Sequence, residues 1–146
     1  EYLDEILLSI KNITKKTKLD IKIIGENNLK INSYPGAYSQ IITNLIINSI
    51  NHGYKEKEKG TIEIDISEDK DNLSVIYKDD GQGISKENLP KIFDLFFTTS
   101  LNNGGTGLGL NIVYNLITDK LNGTIKCESD KNRGVIFTII VPLKKK

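Results

Sequence analysis

The sequence predicts an α/β protein (α+β), a two-layer sandwich in which helices cover one face of a mixed, mainly antiparallel sheet. Three patterns point to it. Residues 62–67 and 73–77 alternate apolar and polar side chains, the period of half-buried strands. Residues 37–51 and 110–121 repeat apolar positions every three or four residues, the period of helices with one buried side. Residues 124–129 and 134–141 close the chain as two segments set to pair in a hairpin. Strands and helices arranged in this order sort into one sheet and one helical layer.

Taken in order, residues 2–16 place Leu3, Ile6, Leu7, Ile10 and Ile13 at helical spacing among charged residues, which predicts an amphipathic helix lying on the sheet. Residues 19–24 and 29–31 read as two short strands, joined by the turn chemistry of Gly25, Glu26, Asn27 and Asn28. Pro35-Gly36 punctuates the chain and opens the helix of residues 37–51. Ile41, Ile42, Leu45, Ile46 and Ile50 make its apolar face. Asn44, Asn48 and Asn51 interrupt that face within an arc of roughly 60°, so they form a stripe. Asparagine is a poor interior helix residue, and its amide needs partners on both sides. The stripe therefore either meets solvent and backbone or offers carbonyl oxygen to a hard cation such as Mg²⁺.

The strand of residues 73–77 runs directly into Asp79-Asp80-Gly81-Gln82-Gly83-Ile84. Two acids and two glycines let the backbone turn sharply beside a fixed carboxylate. Such a carboxylate can accept a hydrogen bond from the exocyclic amine of adenine; an ordinary Asp/Gly turn uses the same residues. Ser85 is placed to cap a short helix with Leu89, Ile92, Phe93 and Phe96 on its buried side. The phenylalanines anchor the base of a polar flap over residues 98–103.

Gly104, Gly105, Gly107 and Gly109 then empty the backbone of side chains just before Leu110, Val113, Ile117 and Leu121 resume a helical spacing. Unpaired N–H groups and the positive dipole end at a helix start favour phosphate. No Lys follows the glycines, so they do not form a P-loop, and no strand leads into them at dinucleotide-fold spacing. Asn122-Gly123 makes the next turn and Pro142 ends the final strand.

The bulk numbers narrow the function classes. A chain of 146 residues fits one domain, expected to span 1–146. With 20 basic and 19 acidic residues the net charge is +1, so no global field recruits nucleic acid or a membrane surface, and neither is expected as a partner. The single cysteine, Cys127, forms no internal disulfide and no apolar run reaches the length of a membrane span, which fits a cytoplasmic setting. The chain opens at Glu1 without an initiator Met, as expected of a piece of a longer protein. Lys144-Lys145-Lys146 reads as a solvated tail.

Together the motifs resemble the ATP-binding catalytic domain of sensor histidine kinases, within the superfamily that also holds gyrase, Hsp90 and MutL ATPases, and the Bergerat-type fold is implied with it. Residues 40–49 resemble the N box, residues 79–84 the first glycine box, residues 92–97 the F box and residues 105–110 the second glycine box, in that order. The resemblance makes Asn48 the Mg²⁺ ligand and Asp79 the adenine-recognising carboxylate, with Gly81, Gly83 and Ile84 shaping the adenine pocket. It places Asn44 where hydrolytic relatives carry a glutamate that activates water, so the site suits holding ATP for transfer. Phe97 and Thr98 open the implied ATP lid. Gly105, Thr106, Gly107, Leu108, Gly109 and Leu110 would present the phosphates to the helix N-terminus.

Two positions depart from the family pattern in charge. Asn51 and Ser100 stand where a basic residue is common, which leaves Mg²⁺ to neutralise more of the transferring phosphate. His52, the only histidine, has three readings: phosphoacceptor, nucleotide contact and helix-end cation. The family position favours the nucleotide contact. The implied function is transfer of the γ-phosphoryl group to a histidine on a separate dimerisation hairpin of a homodimeric parent, with a response regulator downstream and a parent that can be membrane-anchored. An anti-sigma-factor-type serine kinase and a nucleotide-binding module without transfer are the alternatives.

Overall fold

The structure is a computed structural model, and it describes residues 18–25, 36–50, 59–94, 109–129 and 134–143. The helix expected over residues 2–16, the strand at 29–31 and the flap at 98–103 lie outside these residues. Five strands, β1 (Lys18–Gly25), β2 (Lys59–Glu68), β3 (Asn72–Asp79), β4 (Thr124–Ser129) and β5 (Val135–Pro142), form one sheet in the order β1-β2-β3-β5-β4. Two helices, α1 (Ala37–Asn48) and α2 (Gly109–Asn115), belong to the described residues and pack on each other. The mixed sheet is as expected, with β1 parallel to β2 and every other pairing antiparallel.

Period-two patterning determines the layers. Ile62, Ile64 and Ile66 pair across to Asp79, Tyr77 and Val75, and Val75 and Tyr77 pair onward to Ile139 and Phe137. These residues share one face, and they are buried against Ile41, Ile42, Leu45 and Ile46 of α1 and Val113 of α2. Ile117 and Leu121 extend the same core beyond α2. Truncating a fully buried side chain here, as in Leu45→Ala, costs about 2–5 kcal/mol through lost burial and the cavity left behind. The opposite face carries Glu63, Asp65, Ser67, Ser74 and Lys78.

Local chemistry sets the element ends. Gly36 opens α1 with a left-handed φ of 86°, and its carbonyl accepts the Gln40 N–H at 3.0 Å. The Asp69 carboxylate accepts the N–H groups of Asp71 and Asn72 at 2.8 and 2.7 Å, tightening the β2–β3 turn. After α2 the helix widens into a π turn over Leu116–Lys120, where the Leu121 N–H bonds the Leu116 carbonyl. Asn122, left-handed at φ 55°, then lets the Gly123 N–H reach the Ile117 carbonyl at 2.7 Å.

Three expectations are corrected. The regular part of the N-box helix stops at Asn48, and Ser49 and Ile50 continue it in a wider turn. Residues 89–96 do not form an α-helix over their described part; a single 3-10 turn, Leu89–Lys91, stands there, because in a helix begun after Ser85 the Pro90 ring would stand in the interior against the Lys86 carbonyl. The Ser85 hydroxyl does not cap it. The Ser85 carbonyl instead accepts the N–H groups of Asn88 and Leu89 at 3.1 and 3.0 Å.

Candidate nucleotide site

The site gathers where α1 ends beside the C-terminal end of β3. Strand alternation points Tyr77 and Asp79 to the same face as the core, and Asp79 is consequently a carboxylate only 8% exposed. Its Oδ1 accepts the Gly81 N–H at 3.1 Å, a local turn in which the carboxylate holds the backbone two residues on. Its Oδ2 accepts the Ser49 hydroxyl from α1 at 2.7 Å. Burial pushes the Asp79 carboxyl above the ordinary carboxylate value, and the Asp80 charge adds to this. The Ser49 hydroxyl and the Gly81 and Val135 N–H groups oppose the shift by stabilising the ionised form.

Ser49 is 2% exposed and its Oγ also lies 2.5 Å from the Tyr77 hydroxyl, which is 3.1 Å from the Leu45 carbonyl. A polar chain therefore runs through the apolar core from α1 to Asp79. Neither Ser49 nor Tyr77 stood out in the sequence as a site residue. Serine after Asn48 looks like a small helix residue, and Tyr77 falls on an apolar position of an alternating strand. The available signal was a hydroxyl at each of two buried positions.

The turn after Asp79 is clamped on three sides. The Asp80 carboxylate accepts the Thr61 N–H at 2.9 Å, tying the turn to β2. Ser129 accepts the Ile84 N–H at 2.7 Å and donates to the Gly134 carbonyl at 2.6 Å, tying it to the β4–β5 turn. Gly134 has φ 81°, and a Cβ there would stand 2.0 Å from the Asp79 carbonyl oxygen, so only glycine lets β5 start this close. Gly83, at φ 77°, carries the sharp bend expected of it. Gly81 is buried and Ile84 half-buried beside the core.

Asn44 and Asn48 are half-buried positions of α1 that lie about 40° apart around its axis, as their spacing requires. The Asn44 Nδ2 is buried with no hydrogen-bond partner among the described residues, a donor that costs free energy unless something brought to the site accepts from it. Gly109 begins α2 with open space where a Cβ would stand, and Leu110 is buried below it. Asn111 donates through Nδ2 to the Phe93 carbonyl at 3.0 Å, and the Phe93 ring lies 5.3 Å from Tyr114 and 6.3 Å from Phe137. Phe93 thus packs against the core, while Phe96 and Phe97, expected with it at the base of the flap, lie outside the described residues. Asn51, His52, Phe97, Thr98, Gly105, Thr106, Gly107 and Leu108, and Ser100 with them, lie outside the described residues.

Geometry and sequence together can be compared with known proteins. The family model for histidine kinase-, DNA gyrase B-, and HSP90-like ATPases matches residues 34–145. The chain belongs to this family. Within the ATPase family its likeness is to sensor histidine kinases. It is 31% identical over 143 residues to a protein of Bacillus subtilis named as a probable C4-dicarboxylate sensor kinase, covering 94% of this chain and 26% of that one. Among solved structures, the catalytic domain of histidine kinase ThkA superposes with a TM-score of 0.79 at 30% identity, covering 97% of this chain and 90% of that one. ThkA in complex with the response regulator protein TrrA superposes with a TM-score of 0.74 at 25% identity, covering 97% and 39%. This ATPase-family chain is therefore a histidine kinase ATP-binding catalytic domain, and it spans about a quarter of the length of the curated relatives it matches. No helix among the described residues is long and apolar enough to cross a membrane.

Proposed function

We propose that this domain binds Mg-ATP between the end of α1 and the turn of residues 79–84, and donates the γ-phosphoryl group to a histidine on a separate dimerisation hairpin of its parent protein. The observation that carries the reading is the Asp79 carboxylate, buried at a strand end and held at both oxygens, each of which keeps lone-pair capacity for the adenine amine. In this reading Gly81, Gly83 and Ile84 shape the adenine pocket beside it. Gly105, Thr106, Gly107, Leu108, Gly109 and Leu110 line the phosphate end, where the start of α2 attracts anions, and Phe97 and Thr98 begin the lid.

Mg²⁺ fits the donors present. Asn48 offers an amide oxygen, a hard ligand, and Mg²⁺ characteristically takes few protein oxygens while keeping waters and phosphates. Among the described residues no group of three or more His, Cys, Asp or Glu side chains competes for it. When bound, the ion neutralises charge on the phosphates. The Asn44 Nδ2, which has no partner among the described residues, donates to a phosphate oxygen or an ion-held water. As an amide it removes no proton from an attacking water, which favours transfer over hydrolysis. In this reading Asn51 and His52 contact the nucleotide.

In transfer, a histidine nitrogen attacks the γ-phosphorus while the bond to the β-phosphate oxygen breaks and ADP leaves. The parent is proposed to be a cytoplasm-facing homodimer that passes the group to a response regulator. The test is to mix the 146-residue domain with γ-labelled ATP, Mg²⁺ and a separately made hairpin from the parent. Acid-labile label on the hairpin is expected. Label retained on the domain alone, or acid-stable label, would overturn the proposal.

A further inference from the structure

Asp79 can recognise adenine only if its carboxylate is presented in one orientation and as an acceptor, and the buried chain behind it bears on both requirements. Two anchors on two different oxygens, the Gly81 N–H on Oδ1 and the Ser49 hydroxyl on Oδ2, fix the carboxylate plane. Without Ser49 only backbone N–H groups, those of Gly81 and Val135, would hold the carboxylate. The Ser49 anchor comes from the turn that continues α1, so it also fixes the distance between that helix and the strand end. Tyr77 stands behind it, with its hydroxyl between Ser49 Oγ and the Leu45 carbonyl.

The direction of hydrogens along the chain follows from counting. Ser49 has one hydroxyl hydrogen. While Asp79 is ionised, Ser49 donates to Oδ2, and the single Tyr77 hydrogen goes to the Ser49 oxygen or to the Leu45 carbonyl. Were Asp79 neutral and donating to Ser49, the Ser49 hydrogen would turn to the Tyr77 oxygen, and Tyr77 would donate to the Leu45 carbonyl. Each arrangement places every hydrogen of the chain, and only the first leaves both carboxylate oxygens without a hydrogen of their own. An ionised Asp79 accepts from the 6-amino group of adenine, whereas a neutral one can donate to the 6-oxo group of hypoxanthine only with a proton that Ser49 does not take.

We infer that Ser49 and Tyr77 are positioning residues for nucleobase selection, acting through Asp79 to keep its carboxylate oriented as an acceptor for a 6-aminopurine and against a 6-oxopurine. The inference rests on the reading of Asp79 as the adenine-recognising group. Ser49 is the direct element, and Tyr77 acts through it by polarising the Ser49 hydroxyl toward Asp79. Effects of the two residues are therefore not additive.

The test is calorimetric titration of the domain with Mg-ATP and with Mg-ITP, its 6-oxo counterpart, for wild type, S49A, Y77F, the S49A/Y77F double variant and D79N. S49A is expected to reduce the preference for ATP over ITP about tenfold, the scale of one hydrogen bond to a charged group. Y77F is expected to reduce it about threefold, with no further loss when added to S49A. A merely structural role would weaken both nucleotides alike and leave the ratio unchanged. If S49A fails to fold, as thermal melting would show, the near-isosteric Y77F decides the matter by its ratio alone. Wild-type preference in the folded variants, or additive losses, would overturn the inference while D79N still lost ATP. ATP affinity in D79N equal to wild type would instead overturn the assignment of Asp79 beneath it.

Discussion

Replacing Asp79 with Asn exchanges one carboxylate oxygen for an amide nitrogen, and the structure assigns the change two separable consequences. The first is on binding. Asp79 is buried, and an adenine amine donating to it makes a hydrogen bond to a charged acceptor, worth about 1.5–3 kcal/mol. Loss of that bond weakens ATP binding by about 10- to 150-fold at about 1.4 kcal/mol per decade. The second is on stability. Burial raises the Asp79 carboxyl above its ordinary 3.8 in the folded chain, so folding favours the protonated group. Its contribution to stability is fully present below the unfolded value and is lost as pH rises through the folded one. The amide of D79N does not titrate, so stability of the wild type relative to D79N must fall across that interval and level off above it.

The absolute difference is less diagnostic than this trend, because an amide nitrogen facing Gly81 forfeits that hydrogen bond at every pH, whereas one facing Ser49 donates to it and reverses the chain. Calorimetric titration with Mg-ATP and urea unfolding from about pH 3.5 to 7.5, spanning the carboxylate range, measure the two effects. ATP affinity within about twofold of wild type, or a wild type that gains stability over D79N as pH rises, would refute the reasoning.

Three further outcomes are expected. Gly134→Ala places a Cβ 2.0 Å from the Asp79 carbonyl oxygen and a side chain at φ 81°, so it should lower unfolding stability in urea by at least about 1–2 kcal/mol and weaken ATP binding together; unchanged values in both measurements would contradict the close approach described. Gly109→Ala meets open space at the start of α2, so circular dichroism and melting should match wild type, while ATP affinity falls if backbone at this point approaches the phosphates; a melting temperature several degrees lower would count against the first half, and full affinity against the second. Burial, with the charges of Asp79 and Glu128, pushes the Cys127 thiol up to about 12, so at about pH 8 it should resist a thiol-disulfide reagent until the domain is unfolded in urea; rapid labelling of the native protein would show it to be exposed or activated.

Where one face of an element is buried, the sequence was legible. The alternation of Ile62, Ile64 and Ile66 marked both β2 and its inward face, and the 3.6-residue spacing of Ile41, Leu45 and their neighbours marked α1. The closing hairpin was likewise expected, and β4 and β5 pair antiparallel. Periodicity reports which face a strand buries and is silent about its neighbour, so the parallel pairing of β1 with β2 was not visible. The helix expected after a Ser85 cap failed against Pro90, which would stand in its interior.

The site was legible to the extent that its chemistry sits in residue types that are costly elsewhere: glycines at φ above zero, an acid at a strand end, asparagines inside a helix. Ser49, Tyr77 and Ser129 were not legible, since a hydroxyl is unremarkable at each position until the fold supplies its partner. Gly134 stood in the expected region, but its role behind the Asp79 backbone depends on a contact between β5 and β3 that only the sheet order creates.

The most direct measurement is an amide NMR titration of ¹⁵N-labelled domain with Mg-ADP. The expected shifts concentrate on Ser49, Gly81, Gly83, Ile84 and Gly109, with Glu63, Asp65 and Lys78 on the outer sheet face unmoved. Shifts centred on that outer face, or saturation without movement at Gly81 and Gly83, would contradict the nucleotide site described.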